Sequence, residues 1–141
     1  MWLMNHLFNP LVRWILGSRL HGLMSKNVML ISFQGRKSGK HYTTPVEYFR
    51  SDQEVWIIVG FPEKKRWWMN LKGGAAVNLC LRGEWYSGLA VALEGEADRT
   101  PIVRGLELIT AHYPALNRKY KNYSDPSFDL AGIVLVRIDL D

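Results

Sequence analysis

VMLISFQGRKSGKHYTTPVEYFRSDQEVWIIVG, residues 28–60, holds three apolar runs separated by two turn-forming clusters. Residues 28–33 form the first run, bounded by Gly35-Arg36-Lys37-Ser38-Gly39-Lys40. Residues 41–50 carry Tyr42, Thr43, Thr44, Val46, Tyr48 and Phe49, the β-branched and aromatic types that suit a pleated surface. Ser51-Asp52-Gln53 makes the next turn, and Val55-Trp56-Ile57-Ile58-Val59 reads as a heavily buried strand ending at Gly60. Connections this short pair neighbouring strands antiparallel. Working outward, residues 75–81 and 84–93 form a hairpin around Arg82-Gly83, and residues 132–138 are a last strand. The sum is six strands, which with few helices favour a closed or nearly closed barrel. The fold class predicted is α+β, built on a small antiparallel barrel.

Three helical segments complete the pattern. Residues 7–24 place Leu7, Leu11, Trp14, Ile15 and Leu20 at three- and four-residue spacing, an amphipathic helix starting near Pro10. Residues 67–72 make about two turns stopped by Gly73-Gly74. Thr100-Pro101 opens a helix that runs to about residue 112 and is stopped by Pro114. A tyrosine-rich linker with Tyr113, Tyr120 and Tyr123 follows. The expected organisation is a single domain over 1–141: helix 1–26, barrel core and loops 28–94, then helix, linker and last strand over 99–141.

With 141 residues, 48% hydrophobic and 22% charged, the composition is globular and argues against a disordered chain. The one cysteine, Cys80, excludes an intrachain disulfide and multi-cysteine metal clusters, and mid-strand it reads as a small core residue. His6, His21, His41 and His112 have no i, i+4 pairing, so no metal site is expected. No Gly-x-Ser-x-Gly elbow supports a serine hydrolase. No apolar run approaches the ~20 residues of a membrane span, and no secretion signal opens the chain, so a cytoplasmic protein is expected. The net charge of +5 suits an anionic small molecule or an anionic surface, and falls short of a nucleic-acid stripe.

The turn at residues 35–40 is the sharpest chemical feature. Its glycines let backbone N–H groups approach an anion, Ser38 can donate, and Arg36 offers a planar fork for phosphate or carboxylate. It is not a Walker A loop, because Gln34 and His41 stand where that motif needs Gly and Ser or Thr. Lys64-Lys65-Arg66 alone is an ordinary solvated loop, but on one rim with the first turn it would make an electropositive mouth. Trp67 and Trp68 point about 100° apart on a helical turn, so one can pack inward while the other walls a cleft. Glu47, among apolar residues, faces either solvent or that cleft.

The string Gln34-Gly-Arg-Lys-Ser-Gly-Lys, then Thr43-Thr44-Pro45-Val46, Trp67-Trp68-Met69-Asn70-Leu71 and Leu81-Arg82-Gly83, resembles the deazaflavin-dependent nitroreductase family. That family belongs to the split β-barrel flavin-binding superfamily, with pyridoxamine-phosphate oxidases as distant relatives. The resemblance covers residues 28–94 well. It implies a six-stranded split barrel, a homodimer, and a deazaflavin coenzyme at the rim. By the family pattern, Arg36, Lys37, Ser38 and Gly39 hold the anionic tail, and Thr44, Pro45 and Val46 line the ring. Val59, Gly60, Lys64 and Lys65 complete the cradle, with Trp67 and Asn70 from the helical turn. Family members carry a tyrosine two residues after the proline, where this chain has Glu47 followed by Tyr48. Those two residues are the candidate proton donors, along with the Tyr113–Tyr123 linker.

The resulting expectation is a reductase passing hydride to a small planar electrophile (a quinone, enone or nitro compound). FMN or haem in the same barrel is the alternative cofactor, and the six cations of the two loops lean towards deazaflavin. A different class is a membrane-surface module, in which residues 7–24 lie on an anionic bilayer. Such contact, at the inner membrane face, could also accompany the enzyme.

Overall fold

The computed structural model describes residues 28–113 and 123–141. Its strands are β1 (Val28–Gln34), β2 (His41–Glu47), β3 (Phe49–Ser51), β4 (Glu54–Ile58), β5 (Ala75–Leu81), β6 (Glu84–Glu94) and β7 (Val134–Leu140). Among the described residues one α-helix, α1 (Arg99–His112), lies between β6 and β7 in sequence. All strands pair antiparallel in one sheet of order β2-β1-β5-β6-β7-β4-β3. The two edge strands, β2 and β3, are consecutive in the chain with Tyr48 alone between them. The sheet therefore curls until its edges meet at a covalent corner, while β2 and β4 run beside it without pairing with each other. This is a split barrel of the α+β class.

Two apolar clusters explain which strands tolerate continuous hydrophobic runs. One fills the barrel with Met29, Ile31, Phe33, Val55, Ile57, Leu79, Val136 and Ile138. The other lies between sheet and α1, with Trp56, Leu93, Ile102, Leu106, Ile109 and Leu135. Strand side chains alternate between faces, so β4 and β7 are covered on both, and Val55-Trp56-Ile57 and Val134-Leu135-Val136 are apolar throughout. Ile102, Leu106 and Ile109, at helical spacing, are fully buried, and each such burial is worth roughly 1.5–3 kcal/mol. Gly105 lets α1 settle this closely: a Cβ there would run into the Trp56 ring and lie 2.9 Å from Leu135 Cδ1.

The strand predicted over 41–50 is two strands, so the sheet has seven rather than six. Side-chain alternation runs on through the break, with Val46 and Tyr48 on the barrel side and Phe49 in the helix-side cluster, but the ladder partner changes from β1 to β4. Tyr48, paired in neither ladder, is the corner. The helical turns predicted over 67–72 are a 3-10 helix, Trp67–Leu71, and the last strand is shifted to Val134–Leu140. Glycine after Leu71 and Lys72 closes the turn too early for an α-helix to form. The expected helix over 7–24, and Tyr120 of the linker, lie outside the described residues.

Candidate functional site

A groove of about 650 Å³ occupies the split between β2 and β4. Its walls are Thr44, Pro45, Val46 and Glu47 on one side, and Phe49, Ile57, Ile58, Val59 and Gly60 on the other, with Lys65 and Trp67 at one end. That volume is within the ~300–1,000 Å³ of small-molecule sites. Both walls are unpaired strand edges. Gly35 N–H bonds Lys40 C=O at 2.7 Å, and this register turns the backbone groups of Thr44 and Val46 to β1. By alternation, the Pro45 carbonyl and the Glu47 N–H and carbonyl face the groove. A proline is tolerated there because its missing N–H falls on the unpaired side. Opposite, Val59 N–H bonds Val134 C=O at 3.0 Å, which leaves the Ile58 N–H and carbonyl turned to the groove. A flat ligand with polar atoms on its rim can thus meet backbone donors and acceptors from both sides and apolar side chains across its faces.

The cationic turns close one end. Arg36 N–H donates to Asn70 Oδ1 at 2.9 Å, Arg36 Nη1 to the Met69 carbonyl at 3.4 Å, and Asn70 Nδ2 to the Trp67 carbonyl at 3.0 Å. Asn70 thereby fastens the Gly35–Lys40 turn to the tryptophan turn. Gly35 is needed for this compact shape, since a Cβ would lie 2.8 Å from both Ser38 Oγ and Tyr42 Cε2. Phe33 stacks on Tyr42 at 5.9 Å and tilts against Trp67 at 6.1 Å, carrying the aromatic wall from the barrel core to the groove. Trp68, buried, donates its indole N–H to the Pro62 carbonyl at 3.0 Å and pins the second cationic loop. Arg36, Lys37, Lys40, Lys64, Lys65 and Arg66 are all exposed, and the strand register puts their two turns at the same end of the barrel.

Residues 7–125 match the family described as F420H(2)-dependent quinone reductase. The chain belongs to this family. It is an oxidoreductase, and the resemblance to deazaflavin-dependent enzymes stands. No curated protein matches the chain. Solved structures that share its fold include the following three. One, described as a domain-swapped dimer, is 18% identical over 82% of this chain and 81% of its own, with a TM-score of 0.56. A second, described as an F420-H2 dependent reductase, is 19% identical over 82% of this chain and 95% of its own, TM-score 0.53. A third, an FAD and heme binding protein from Mycobacterium smegmatis, is 13% identical over 88% and 67%, TM-score 0.52. At these identities they attest the split barrel and nothing finer.

Of the residues expected to hold the deazaflavin of the family, Thr44, Pro45, Val46, Val59, Gly60, Lys65 and Trp67 line the groove. Arg36, Lys37, Ser38, Gly39, Lys64 and Asn70 do not line it and stand along the adjoining rim. The two candidate proton donors part company. Glu47 lines the groove, whereas Tyr48 lines a second hollow of about 630 Å³ with Arg50, Leu81, Arg82 and Tyr86. Phe49, Ile57 and Ile58 of the groove wall were not expected. Their signal is topological, since only the pairing of β3 with β4 shows which strand edge stays open. Burial pushes the Cys80 thiol up from its ordinary pKa, in keeping with a core residue. Among the described residues no group of three His, Cys, Asp or Glu could hold a metal ion.

Proposed function

We propose that this chain binds reduced deazaflavin in the groove between β2 and β4 and uses it to reduce a small planar acceptor, a quinone in the first instance. The observation that carries the reading is the junction of two features: a groove edged by unpaired backbone on both sides, opening at one end onto six exposed cations. A tricyclic ring with carbonyl and N–H groups on its rim fits the first, and an anionic tail fits the second. When bound, the coenzyme supplies a hydride, and reduction of a quinone to hydroquinone then takes one further proton.

The protein's part is positioning and electrostatics. Arg36, Lys37 and Ser38 with Lys64 and Lys65 hold the tail anions, and Arg36 keeps its aim through Asn70. Val46, Ile57, Val59 and Trp67 press on the faces of the ring. The Ile58 and Glu47 backbone groups hydrogen-bond its polar edge. Glu47, which borders the groove, is the proposed protein group for relaying the proton, and water at the open mouth is its substitute. Burial of apolar wall and exclusion of water strengthen each of these contacts. A homodimer, in which a second copy covers part of the groove, is the proposed assembly.

Titrating the purified protein with deazaflavin coenzyme, and separately with FMN, while following cofactor fluorescence tests the reading. Saturable binding of deazaflavin at micromolar levels, with FMN weaker, is expected, and menadione should then reoxidise the reduced coenzyme only when protein is present. Preference for FMN would reassign the cofactor, and binding of neither would overturn the proposal.

A further inference from the structure

Phe61 is the most exposed large apolar side chain among the described residues, with 69% of its surface in water. Its backbone is left-handed, φ 50° and ψ 58°. A bulky aromatic rarely adopts that conformation, because its Cβ crowds the neighbouring carbonyl, and such strain persists only where the surroundings enforce it. Here they do. Lys64 N–H bonds the Phe61 carbonyl at 2.9 Å, Lys65 N–H bonds the Pro62 carbonyl at 3.2 Å, and buried Trp68 holds that same carbonyl. The fold thus keeps a hydrophobic ring largely in solvent on a strained backbone.

The position of the ring gives the strain a use. Phe61 follows Gly60 and precedes Lys65 by four residues, and both of those line the groove. The Lys65 ammonium comes within 3.9 Å of where a Gly60 Cβ would stand, so the lysine folds back over the groove mouth. The Lys64 ammonium lies 5.5 Å from the centre of the Phe61 ring. With Lys64 over one side of the ring, its other side is the face left to stack a flat, electron-poor, apolar molecule whose oxygens gain negative charge on reduction. The cofactor's tail, hydrophilic and anionic, has no use for such a face.

Resting on the reductase reading above, we infer that Phe61 is the stacking platform for the quinone, a specificity-determining residue that binds the acceptor and not the coenzyme. Phe61 does not itself line the groove, and its strained backbone keeps the ring in solvent next to Gly60 of the groove wall, where it is offered to an acceptor entering from outside.

The test uses Phe61→Asn, which removes the ring and suits a left-handed backbone, and Phe61→Tyr, which keeps the ring. Deazaflavin Kd, Tm, and steady-state kinetics with menadione and with the smaller benzoquinone are measured for each. For Phe61→Asn the Kd stays within about twofold, Tm holds or rises, and KM for menadione rises about tenfold, the size of one lost aromatic stack. Benzoquinone, with less face to stack, is affected less, and Phe61→Tyr behaves as wild type. An unchanged menadione KM in an active Phe61→Asn protein overturns the role of Phe61 alone. So does a Kd that worsens in step with KM, which would place the ring in the cofactor cradle. A clear fall in Tm would make the ring a structural element. Wild-type protein that binds deazaflavin and reduces neither quinone overturns this role together with the quinone reading.

Discussion

Asn70 faces two ways, accepting from Arg36 N–H through its oxygen and donating to the Trp67 carbonyl through its nitrogen. An alanine would cut both bonds while leaving the barrel core untouched. Each bond is partly solvated, so the loss per bond is nearer ~0.5–1 kcal/mol than the upper end of the range. Asn70→Ala should therefore weaken deazaflavin binding about fivefold, by letting the Arg36 turn drift from Trp67, with a Tm drop of only a few degrees. Fluorescence titration and thermal melts check this, and an unchanged Kd would leave Asn70 with no role in aiming the turn. Asn70 was legible in the sequence only through a resemblance, because an asparagine on a short helical turn carries no chemical signal of its own. The cations were legible directly, since charge clustering on turns is a property of the string. Glu47 could not be assigned from its neighbours: in a strand, adjacent residues face opposite sides, and only the open edge of β2 shows that Glu47 borders the groove.

Helix α1 is fastened to the sheet by shape on one side and charge on the other. Gly105 meets the Trp56 ring, so Gly105→Ala has to push helix and strand apart. Overpacking of this kind costs roughly 1–3 kcal/mol, well above the gain from alanine's better helix propensity, and a lowered urea midpoint would register it. Charge acts at Glu54, which accepts both guanidinium nitrogens of Arg104, the first at 2.7 Å. That hydrogen bond holds the Glu54 carboxyl below its ordinary pKa against the opposing effect of burial. Near the start of α1, Glu96 is held low by the Leu130 N–H and by Arg99. Carboxylates whose pKa falls on folding stabilise the native state above the ordinary carboxylate range, and that stability is lost as pH falls through the lowered values. The gap in urea midpoint between wild type and Glu54→Gln should accordingly narrow as pH is lowered from about 6 to about 3.5. A constant gap would show that the pair contributes geometry rather than charge. Strands and helix were readable from residue patterning because burial follows periodicity. The corner at Tyr48-Phe49 was not, since two adjacent aromatics in a strand also fit a strand buried on both faces.

At the scale of the whole molecule, charge is distributed along the barrel axis. The Gly35–Lys40 turn and the loop after β4 lie at one end. The antiparallel pairing of β1 with β5 puts the Arg82-Gly83 turn at the other. Six of the eighteen Lys and Arg gather at the first end (Arg36, Lys37, Lys40, Lys64, Lys65, Arg66), more than the whole net charge of +5. A polyanionic coenzyme approaching from solution is steered by that end and not by the molecule's average charge. Surface charges are screened beyond about 8–10 Å at ordinary ionic strength, so steering acts on the encounter and much less on the docked complex. Raising NaCl should slow deazaflavin association markedly and change dissociation little. Lys37→Gln and Arg82→Gln each remove one positive charge, and the pairing separates location from total. In stopped-flow binding, Lys37→Gln should lower the association rate and flatten its salt dependence, while Arg82→Gln behaves as wild type. Equal effects from the two variants would mean that net charge alone draws the ligand, and the cationic rim would lose its standing as the tail site.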